Sequence, residues 1–237
     1  MREETEFKPK PMVEIGGIPL IVHLMRVFAM QGFTDFIVCA GYKSELLHSF
    51  FGSDHWNSWR KAVVPGWDTD GWGVVVADTG LETPTGGRVA RVRDLIGNSA
   101  FLCTYGDGLA PVNVGELLQT HEASNRWATV TVAHPRSRFG IVDLNEDGSV
   151  SGFREKPLLE DLVSIGFFVF GPEVFDVLGP NSVLEEEPLN KIASEEQLTG
   201  FVHSGFWQPL DTYRELLLMQ GLWESGCPPW FAVEPFG

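Results

Sequence analysis

The chain has 237 residues, enough for one large α/β domain with a substantial buried core. Its 17 basic and 32 acidic residues give a formal net charge of −15, which repels a phosphate backbone and excludes general nucleic-acid binding. Three widely spaced cysteines, Cys39, Cys103 and Cys227, follow no metal-ligand pattern and suit a reducing cytoplasm. No apolar run approaches the roughly 18 residues of a spanning helix, so no membrane partner is expected.

Helical and extended patterns alternate through the first half of the chain. Helices are predicted at 19–31, 44–51 and 88–96, and strands at 36–40, 73–78 and 101–105. These strands are short, unbroken apolar runs, as expected for parallel strands covered on both faces. Residues 53–72, which are rich in Trp, Gly, Asp and Pro, show no period and are predicted to be irregular, with their tryptophans packing under a loop. Residues 83–87 are predicted to form a turn.

The second half adds a predicted antiparallel hairpin to this alternation. Its strands, 139–143 and 150–153, join across the tight-turn pair Asp147-Gly148. The remaining predictions are helices at 114–122, 172–178 and 213–223 and strands at 128–133 and 164–170. This order predicts an α/β fold: a doubly wound, mostly parallel but mixed sheet with helices on both faces, with residues 1–237 forming a single domain.

Two aspartates stand where a metal and a phosphate would meet. Asp107 follows a predicted strand, and ligands of open α/β sheets bind beyond the carboxyl ends of strands. Asp211 precedes the last helix. Two such carboxylates can share a magnesium ion while substrate phosphates supply further ligands. The structural alternatives are a turn residue between glycines for Asp107 and a helix N-cap for Asp211.

Basic and hydroxyl side chains supply candidate phosphate and nucleotide contacts. Lys10 and Lys156 each adjoin a proline that stiffens the backbone, although most lysines are simply solvated. Thr83 and Arg88 flank a glycine turn whose amides could meet a base, ribose or phosphate, the alternative being a capped helix entry. The histidines show no zinc spacing, and no side chain is an obvious nucleophile.

Seven segments in order resemble the glucose-1-phosphate cytidylyltransferases, a branch of the sugar-1-phosphate nucleotidyltransferase family. The match extends along nearly the whole chain. The segments are Lys8-Pro9-Lys10-Pro11-Met12-Val13-Glu14-Ile15-Gly16-Gly17, Thr85-Gly86-Gly87-Arg88, Tyr105-Gly106-Asp107-Gly108, Arg138-Phe139-Gly140, Glu155-Lys156-Pro157, Glu186-Glu187-Pro188-Leu189 and Gly205-Phe206-Trp207-Gln208-Pro209-Leu210-Asp211-Thr212.

This resemblance implies a nucleotidyltransferase-like fold and a Mg²⁺-dependent reaction. A sugar 1-phosphate attacks the α-phosphorus of CTP, giving a CDP-sugar and pyrophosphate without a covalent enzyme intermediate. By the resemblance, Asp107 and Asp211 hold the metal, Lys10 contacts the nucleotide phosphates and Lys156 the sugar phosphate. Residues Thr83, Arg88 and Gly106 line the nucleotide pocket. Family members commonly assemble, so a homo-oligomer is expected, with the aromatic pair Trp230-Phe231 as a candidate contact.

One departure from the family concerns the sugar. Where the family has asparagine and glycine, this chain has Ser164-Ile165, so Ser164 is expected to face the sugar and Ile165 to narrow its pocket. Glucose 1-phosphate is the first candidate substrate. The alternatives are the same chemistry on another sugar or cyclitol phosphate, and a non-catalytic homologue that binds a nucleotide sugar.

A second departure concerns the amino-terminal side. The family's first strand, central in the sheet, and its glycine-rich phosphate loop with an arginine would precede Met1, and Arg2 is no obvious replacement. Our hypothesis is that Met1 is an internal methionine and that the natural chain begins about a dozen residues earlier, enough for one strand and a tight loop. The 237-residue form is accordingly expected to bind a CDP-sugar while turning over little CTP.

Overall fold

A computed structural model of the chain describes residues 8–63 and 71–232. The strands within these ranges are β1 (Glu14–Ile15), β2 (Ile18–Pro19), β3 (Asp35–Ala40), β4 (Gly73–Asp78), β5 (Phe101–Thr104), β6 (Gly108–Leu109), β7 (Ala128–Ala133), β8 (Ile141–Leu144), β9 (Val150–Arg154), β10 (Val163–Phe170), β11 (Leu198–Val202) and β12 (Gln208–Pro209). The helices are α1 (Leu20–Ala29), α2 (Ser44–Phe51), α3 (Ser53–Val63), α4 (Thr85–Arg91), α5 (Arg93–Ile96), α6 (Val114–Ser124), α7 (Glu187–Ser194) and α8 (Tyr213–Glu224). Short 3₁₀ turns cover Lys10–Met12, Pro172–Asp176 and Pro229–Phe231.

The main sheet is mixed and has the strand order β11-β7-β10-β5. Strand β10 is antiparallel to both β7 and β5, whereas β11 is parallel to β7, so that three of these four strands run in one direction. A parallel pair, β3-β4, lies apart from them, and β8-β9 forms a hairpin. The α/β class with a mixed sheet and helices is therefore confirmed.

Helix α1 links two of the hydrophobic clusters. Leu24 and Phe28 pack into the cluster under the main sheet, where the Phe28 ring stacks 5.8 Å from that of Phe167. Ile21 and Met25 pack instead with residues from β3 and α2. A helix that packs against two clusters is buried on most of its circumference. Accordingly, eight of the ten α1 residues are buried.

A cavity of about 560 Å³ lies between β3 and β5. Residues of β3 and β5 line two of its sides, and side chains of α1 and of α4 and α5 line the others. We call this cavity the interstrand slot.

The structure corrects three expectations for the first hundred residues. Residues 53–63 form α3, because Trp56 and Trp59, one turn apart, stack at 5.7 Å and pack on Phe50. The expected turn at 83–87 instead holds the start of α4, and the expected helix at 88–96 is interrupted at Val92. The apolar spacing continues across Val92, but the helix backbone does not. Met1, Arg2 and Trp67, which also carried expectations, lie outside the described residues.

Three elements of the second half, α7, β11 and the two-residue β12, have no counterpart among the predictions, and residues 172–176 form a 3₁₀ turn where an α-helix was expected. Strand β11 is half exposed and interrupted by Gly200, so its apolar pattern is weak. In the part of the chain that the structure describes, no helix combines the length and apolar character needed to span a bilayer.

The expectation of an exposed aromatic contact at Trp230-Phe231 is wrong for Trp230, which is fully buried. Its indole N–H donates to Nδ1 of the buried His23 at 3.3 Å, and His23 Nε2 lies 3.0 Å from the carbonyl oxygen of Ile15. An indole only donates and a carbonyl only accepts, so His23 is neutral with its proton on Nε2. Burial lowers the pKa of His23 to about 4.

We expect this histidine to make stability pH-dependent. Because its folded pKa is below the unfolded value near 6.5, its contribution is complete above pH 6.5 and is lost as the pH falls towards 4, by about 3 kcal/mol in total. Urea unfolding at pH 7.5, 5.5 and 4.5 measures this loss. His23→Gln should flatten the profile relative to the wild type, whereas substitution of the exposed His134 by glutamine should not; equal profiles for all three proteins would contradict the prediction.

Candidate active site

A two-residue strand pairing brings the two predicted metal ligands together. Asp107 lies between β5 and β6, and Asp211 lies just after β12. Strands β6 and β12 pair antiparallel, Gly108 opposite Pro209, and the Leu210 N–H donates to the Asp107 carbonyl at 2.7 Å. The backbone therefore places the two aspartates side by side although they are far apart in sequence.

The Lys10 ammonium lies between these carboxylates. Its Nζ is 2.9 Å from Asp107 Oδ2 and 2.5 Å from Asp211 Oδ1, and all three side chains are partly exposed. Partial burial lowers the pKa of Lys10, but the hydrogen bonds and charges of Asp211 and Asp107 outweigh it and the net shift is upward. Lys10 therefore remains a cation held at the ends of the strands.

The carboxylate of Asp211 is not the cap of α8. The cap is Thr212, whose hydroxyl accepts from the Glu215 N–H at 3.2 Å, and Glu215 Oε2 accepts from the backbone N–H groups of Asp211 and Thr212 at 2.7 Å each. This capping box fixes the backbone at Asp211 and leaves its side chain to face Lys10. Arg138 Nη2 lies 3.7 Å from both Asp211 Oδ2 and Glu215 Oε1.

The paired carboxylates fit a magnesium ion. Their oxygens converge on one cationic group, and Mg²⁺ in nucleotide sites is commonly held by one or two carboxylates, with phosphates and water completing its shell. Among residues 8–63 and 71–232, no set of three or more His, Cys, Asp or Glu side chains forms a metal cluster. A cation at this place would thus depend on the substrate for the rest of its ligands.

Arg88 is engaged with the protein itself. Its Nη1 donates to the carbonyl of Ala40 at 3.1 Å and to the Thr79 hydroxyl at 2.7 Å, and its Nη2 donates to the Leu81 carbonyl at 3.2 Å. These acceptors follow or end β3 and β4, so the guanidinium fixes the loops at their carboxyl ends. Thr83 lies beside them, against Gly80.

The remaining predicted site residues lie in other segments, Gly106 and Lys156 in loops and Ser164 in β10. A Cβ on Gly106 would come within 2.9 Å of the Pro11 ring, so glycine here allows the Lys10 segment to approach. Lys156 has a left-handed φ of 45° and lies 3.3 Å from Glu155. Ser164 is exposed and its hydroxyl accepts from the Gly166 N–H at 3.4 Å, whereas Ile165 packs in the core rather than at an open pocket wall.

A hydrogen-bonded group beside the aspartate loop was not predicted. The Tyr105 hydroxyl donates to Glu185, which also accepts from the Thr85 hydroxyl at 2.7 Å. The Tyr105 ring lies against Gly166, whose φ is +80° and where a Cβ would overlap the ring. Burial, with the Glu185 contact, raises the pKa of Tyr105, so its hydroxyl stays a donor. The only sequence signal for Glu185 is an acidic run, which is also typical of a solvated helix start.

An α/β fold with a mixed sheet that brings a lysine and two aspartates together has the features of a phosphate-handling, nucleotide-binding transferase. The sequence agrees with this class: the model of the family described as Nucleotidyl transferase matches residues 5–212. The chain belongs to the nucleotidyl transferase family.

Two relatives align over almost the whole chain. The glucose-1-phosphate cytidylyltransferase of Salmonella typhi is 38% identical over 247 aligned residues, covering 97% of this chain and 93% of the relative. The probable glucose-1-phosphate cytidylyltransferase of Bacillus subtilis (strain 168) is 36% identical, covering 97% of this chain and 94% of the relative.

Solved structures support the fold. A UDP-glucose pyrophosphorylase complexed with UDP-glucose superposes with a TM-score of 0.69 at 16% identity, covering 94% of this chain and 95% of that one. A putative glucose-1-phosphate thymidylyltransferase from Bacillus anthracis gives a TM-score of 0.66 at 19% identity, covering 98% of this chain and 90% of that one. At these identities the similarity concerns the fold alone.

Proposed function

We propose that the protein is a cytidylyltransferase that forms a CDP-sugar and pyrophosphate from CTP and a sugar 1-phosphate, with glucose 1-phosphate as the first candidate. The observation that carries this proposal is the convergence of Lys10 with Asp107 and Asp211 at adjoining strand ends. The identity to the cytidylyltransferases of Salmonella typhi and Bacillus subtilis supports the choice of nucleotide and sugar phosphate.

In this reaction an oxygen of the sugar 1-phosphate forms a bond to the α-phosphorus of CTP as the bond to pyrophosphate breaks. The protein contributes alignment and charge. Lys10 exchanges its carboxylate contacts for the nucleotide phosphates, and Lys156 binds the sugar phosphate. Asp107 and Asp211 hold Mg²⁺, which supplies positive charge against the phosphates when bound. Gly106, Thr83 and Arg88 line the nucleotide pocket. Arg88 contributes by fixing the loops after β3 and β4 through its hydrogen bonds to Ala40 and Thr79.

The proposal is tested by incubating the 237-residue protein with Mg²⁺, glucose 1-phosphate and each of the four nucleoside triphosphates. Pyrophosphate release and the mass of the nucleotide sugar are measured, and binding of CDP-glucose is followed in parallel. We expect the 237-residue form to bind CDP-glucose and to release pyrophosphate at a low rate, which is highest with CTP and gives CDP-glucose as the product. Binding of CDP-glucose without pyrophosphate release from any pair would favour a non-catalytic nucleotide-sugar-binding protein.

One observation favours a second candidate substrate class. Ser164, which stands where the family has an asparagine, is exposed and its hydroxyl is near the backbone of Gly166. Serine is shorter than asparagine, so its hydroxyl would contact different hydroxyl groups of the substrate. Such a change is expected in an enzyme that acts on another sugar phosphate or on a cyclitol phosphate. A panel of such phosphates with CTP separates the two candidates, because a rate with glucose 1-phosphate well above all others would exclude this one.

We also propose that the enzyme is a single-domain homo-oligomer of the cytoplasm. The β8-β9 hairpin supports assembly, because it presents four exposed apolar side chains from paired positions. Val142 lies opposite Phe153, and Leu144 opposite Val150, with exposed fractions between 46% and 66%. An apolar face of this kind is typical of a contact with another protein. The free cysteines support a reducing compartment.

Removing this apolar face is expected to dissociate the assembly. In the double variant Leu144→Ser/Phe153→Ser, each substitution removes a side chain whose burial contributes about 1.5–3 kcal/mol, so association should weaken by about 100-fold or more. Light scattering coupled to size exclusion reports the mass. The matched control is Leu81→Ser, at another exposed leucine. A wild-type monomer, or an unchanged mass in the double variant, would contradict the use of this face.

A further inference from the structure

Arg138 is an exposed cation of the site that the proposed reaction does not use. Its Nη2 lies 3.7 Å from Asp211 Oδ2 and from Glu215 Oε1, which is beyond hydrogen-bond distance, and its side chain is 66% exposed. Among residues 8–63 and 71–232, its guanidinium finds no hydrogen-bond acceptor. Charge therefore holds the guanidinium beside the aspartate, and its N–H donors remain available for an anion.

A short antiparallel pairing leads from Arg138 to Lys156. The segments around Arg136 and Leu158 form an antiparallel bridge flanked by two backbone hydrogen bonds of 2.9 Å each. Continuing this register by two residues places Arg138 opposite Lys156, where the left-handed φ of 45° at the lysine ends the pairing. The backbone thus brings two cationic residues to neighbouring positions next to Asp211.

The charges around Arg138 leave a place for an anion. Like charges at opposed positions destabilise an antiparallel pair. Lys156 lies 3.3 Å from the carboxylate of Glu155. Arg138 shares the carboxylate of Asp211 with Lys10, whose Nζ lies 2.5 Å from its other oxygen. In the proposed reaction Asp211 and Lys10 turn to the metal and the nucleotide phosphates, so the guanidinium is left to bind another negative group.

We propose that Arg138, together with Lys156, binds the phosphate of the sugar 1-phosphate and is a further substrate-binding residue of the site. This inference rests on the proposed function, which assigns that phosphate to Lys156. A phosphate monoester carries about two negative charges at neutral pH and has three acceptor oxygens, so it can accept from two cations at once. The planar guanidinium can donate two parallel hydrogen bonds to it and thereby orient the oxygen that attacks CTP.

The test compares ligands that differ by the sugar phosphate. CDP-glucose contains the phosphate that comes from glucose 1-phosphate, whereas CMP ends at the phosphate that comes from CTP. The Kd values of CDP-glucose, CMP and glucose 1-phosphate are measured by calorimetry with Mg²⁺ present, so no turnover is needed. The variants are Arg138→Gln, which removes the charge, and Arg138→Lys, which keeps it. The matched control is Arg154→Gln in the β8-β9 hairpin, because the Arg154 guanidinium is already engaged by Asp143.

We expect Arg138→Gln to weaken binding of CDP-glucose and of glucose 1-phosphate by about tenfold, as for the loss of one charge-assisted contact, and to leave CMP binding unchanged. Arg138→Lys should recover most of the lost affinity, and Arg154→Gln should match the wild type. Unchanged affinity for glucose 1-phosphate in Arg138→Gln, or an equal loss for CMP and CDP-glucose, would overturn the inference. A wild type that binds glucose 1-phosphate but neither cytidine nucleotide would instead contradict the proposed function, and the glucose 1-phosphate series would still decide the role of Arg138.

Discussion

Replacing Asp107 by asparagine is expected to lower kcat/KM for CDP-glucose formation by about 10²–10³-fold, the loss typical of removing one preorganised electrostatic group. The substitution keeps the shape of the side chain and its hydrogen bond to Lys10 but removes the negative charge that favours a divalent cation. Pyrophosphate release measured over a range of Mg²⁺ concentrations should show a weaker dependence on the metal.

The matched control for this variant is Asp94→Asn, which changes the same charge on the exposed surface of α5. Its activity and metal dependence should equal those of the wild type. Circular dichroism and thermal unfolding of Asp107→Asn should also stay close to the wild type, so that lost activity reports the site and not the fold. An Asp107→Asn enzyme within threefold of the wild type would remove this aspartate from the proposed metal site.

Lys10→Met is expected to move activity and metal binding in opposite directions. Loss of the ammonium removes a phosphate contact and should lower kcat/KM by about 10²-fold or more. The same change leaves Asp107 and Asp211 facing each other without a cation between them, and two adjacent carboxylates favour a bound divalent ion. Titration of the nucleotide-free protein with Mn²⁺, followed by calorimetry or electron paramagnetic resonance, should therefore show tighter binding in the variant.

Lys8→Met is the control for Lys10→Met. Lys8 lies two residues away and pairs with Glu14 at 3.0 Å, away from the aspartates. Its substitution changes the net charge equally and should alter neither activity nor Mn²⁺ affinity. If Lys10→Met lost activity with no gain in metal affinity, Lys10 would be a phosphate ligand that does not compete with the cation, and the proposed exchange of contacts would fail.

The strands that are continuous apolar runs could be predicted closely from sequence. Strands β4 and β7 have the predicted bounds, because β4 is a run of Val and Ala between Gly73 and Asp78 and β7 is an unbroken run of Ala, Thr and Val. Helix α3 could not be predicted, because its stability depends on aromatic packing against α2 and its tryptophans are separated by polar residues. Tertiary contacts, and not the local sequence pattern, therefore determine that this segment is helical.

The candidate site was likewise only partly predictable from the sequence. The meeting of Asp107 and Asp211 was implied by the family resemblance and by the place of Asp107 after a predicted strand, and the functional roles assigned to them stay predictions. The position of Lys10 between them could not be predicted, since it depends on the pairing of β6 and β12, two-residue strands too short for any periodic pattern. The role of Thr212 as the cap of α8 likewise required the observed hydrogen bonds.

The contacts of Lys10 also bear on how the enzyme matures. Its partners are 97 and 201 positions along the chain, so the site unites an early, a middle and a late part of the polypeptide. Contacts of such long separation require loop closure before they can form, so we expect them to form late in folding. A ribosome-bound chain that has not yet released residue 211 has no paired aspartates. In the proposed mechanism, activity therefore appears only after residue 211 has left the ribosome, and it can serve as a reporter of this folding step.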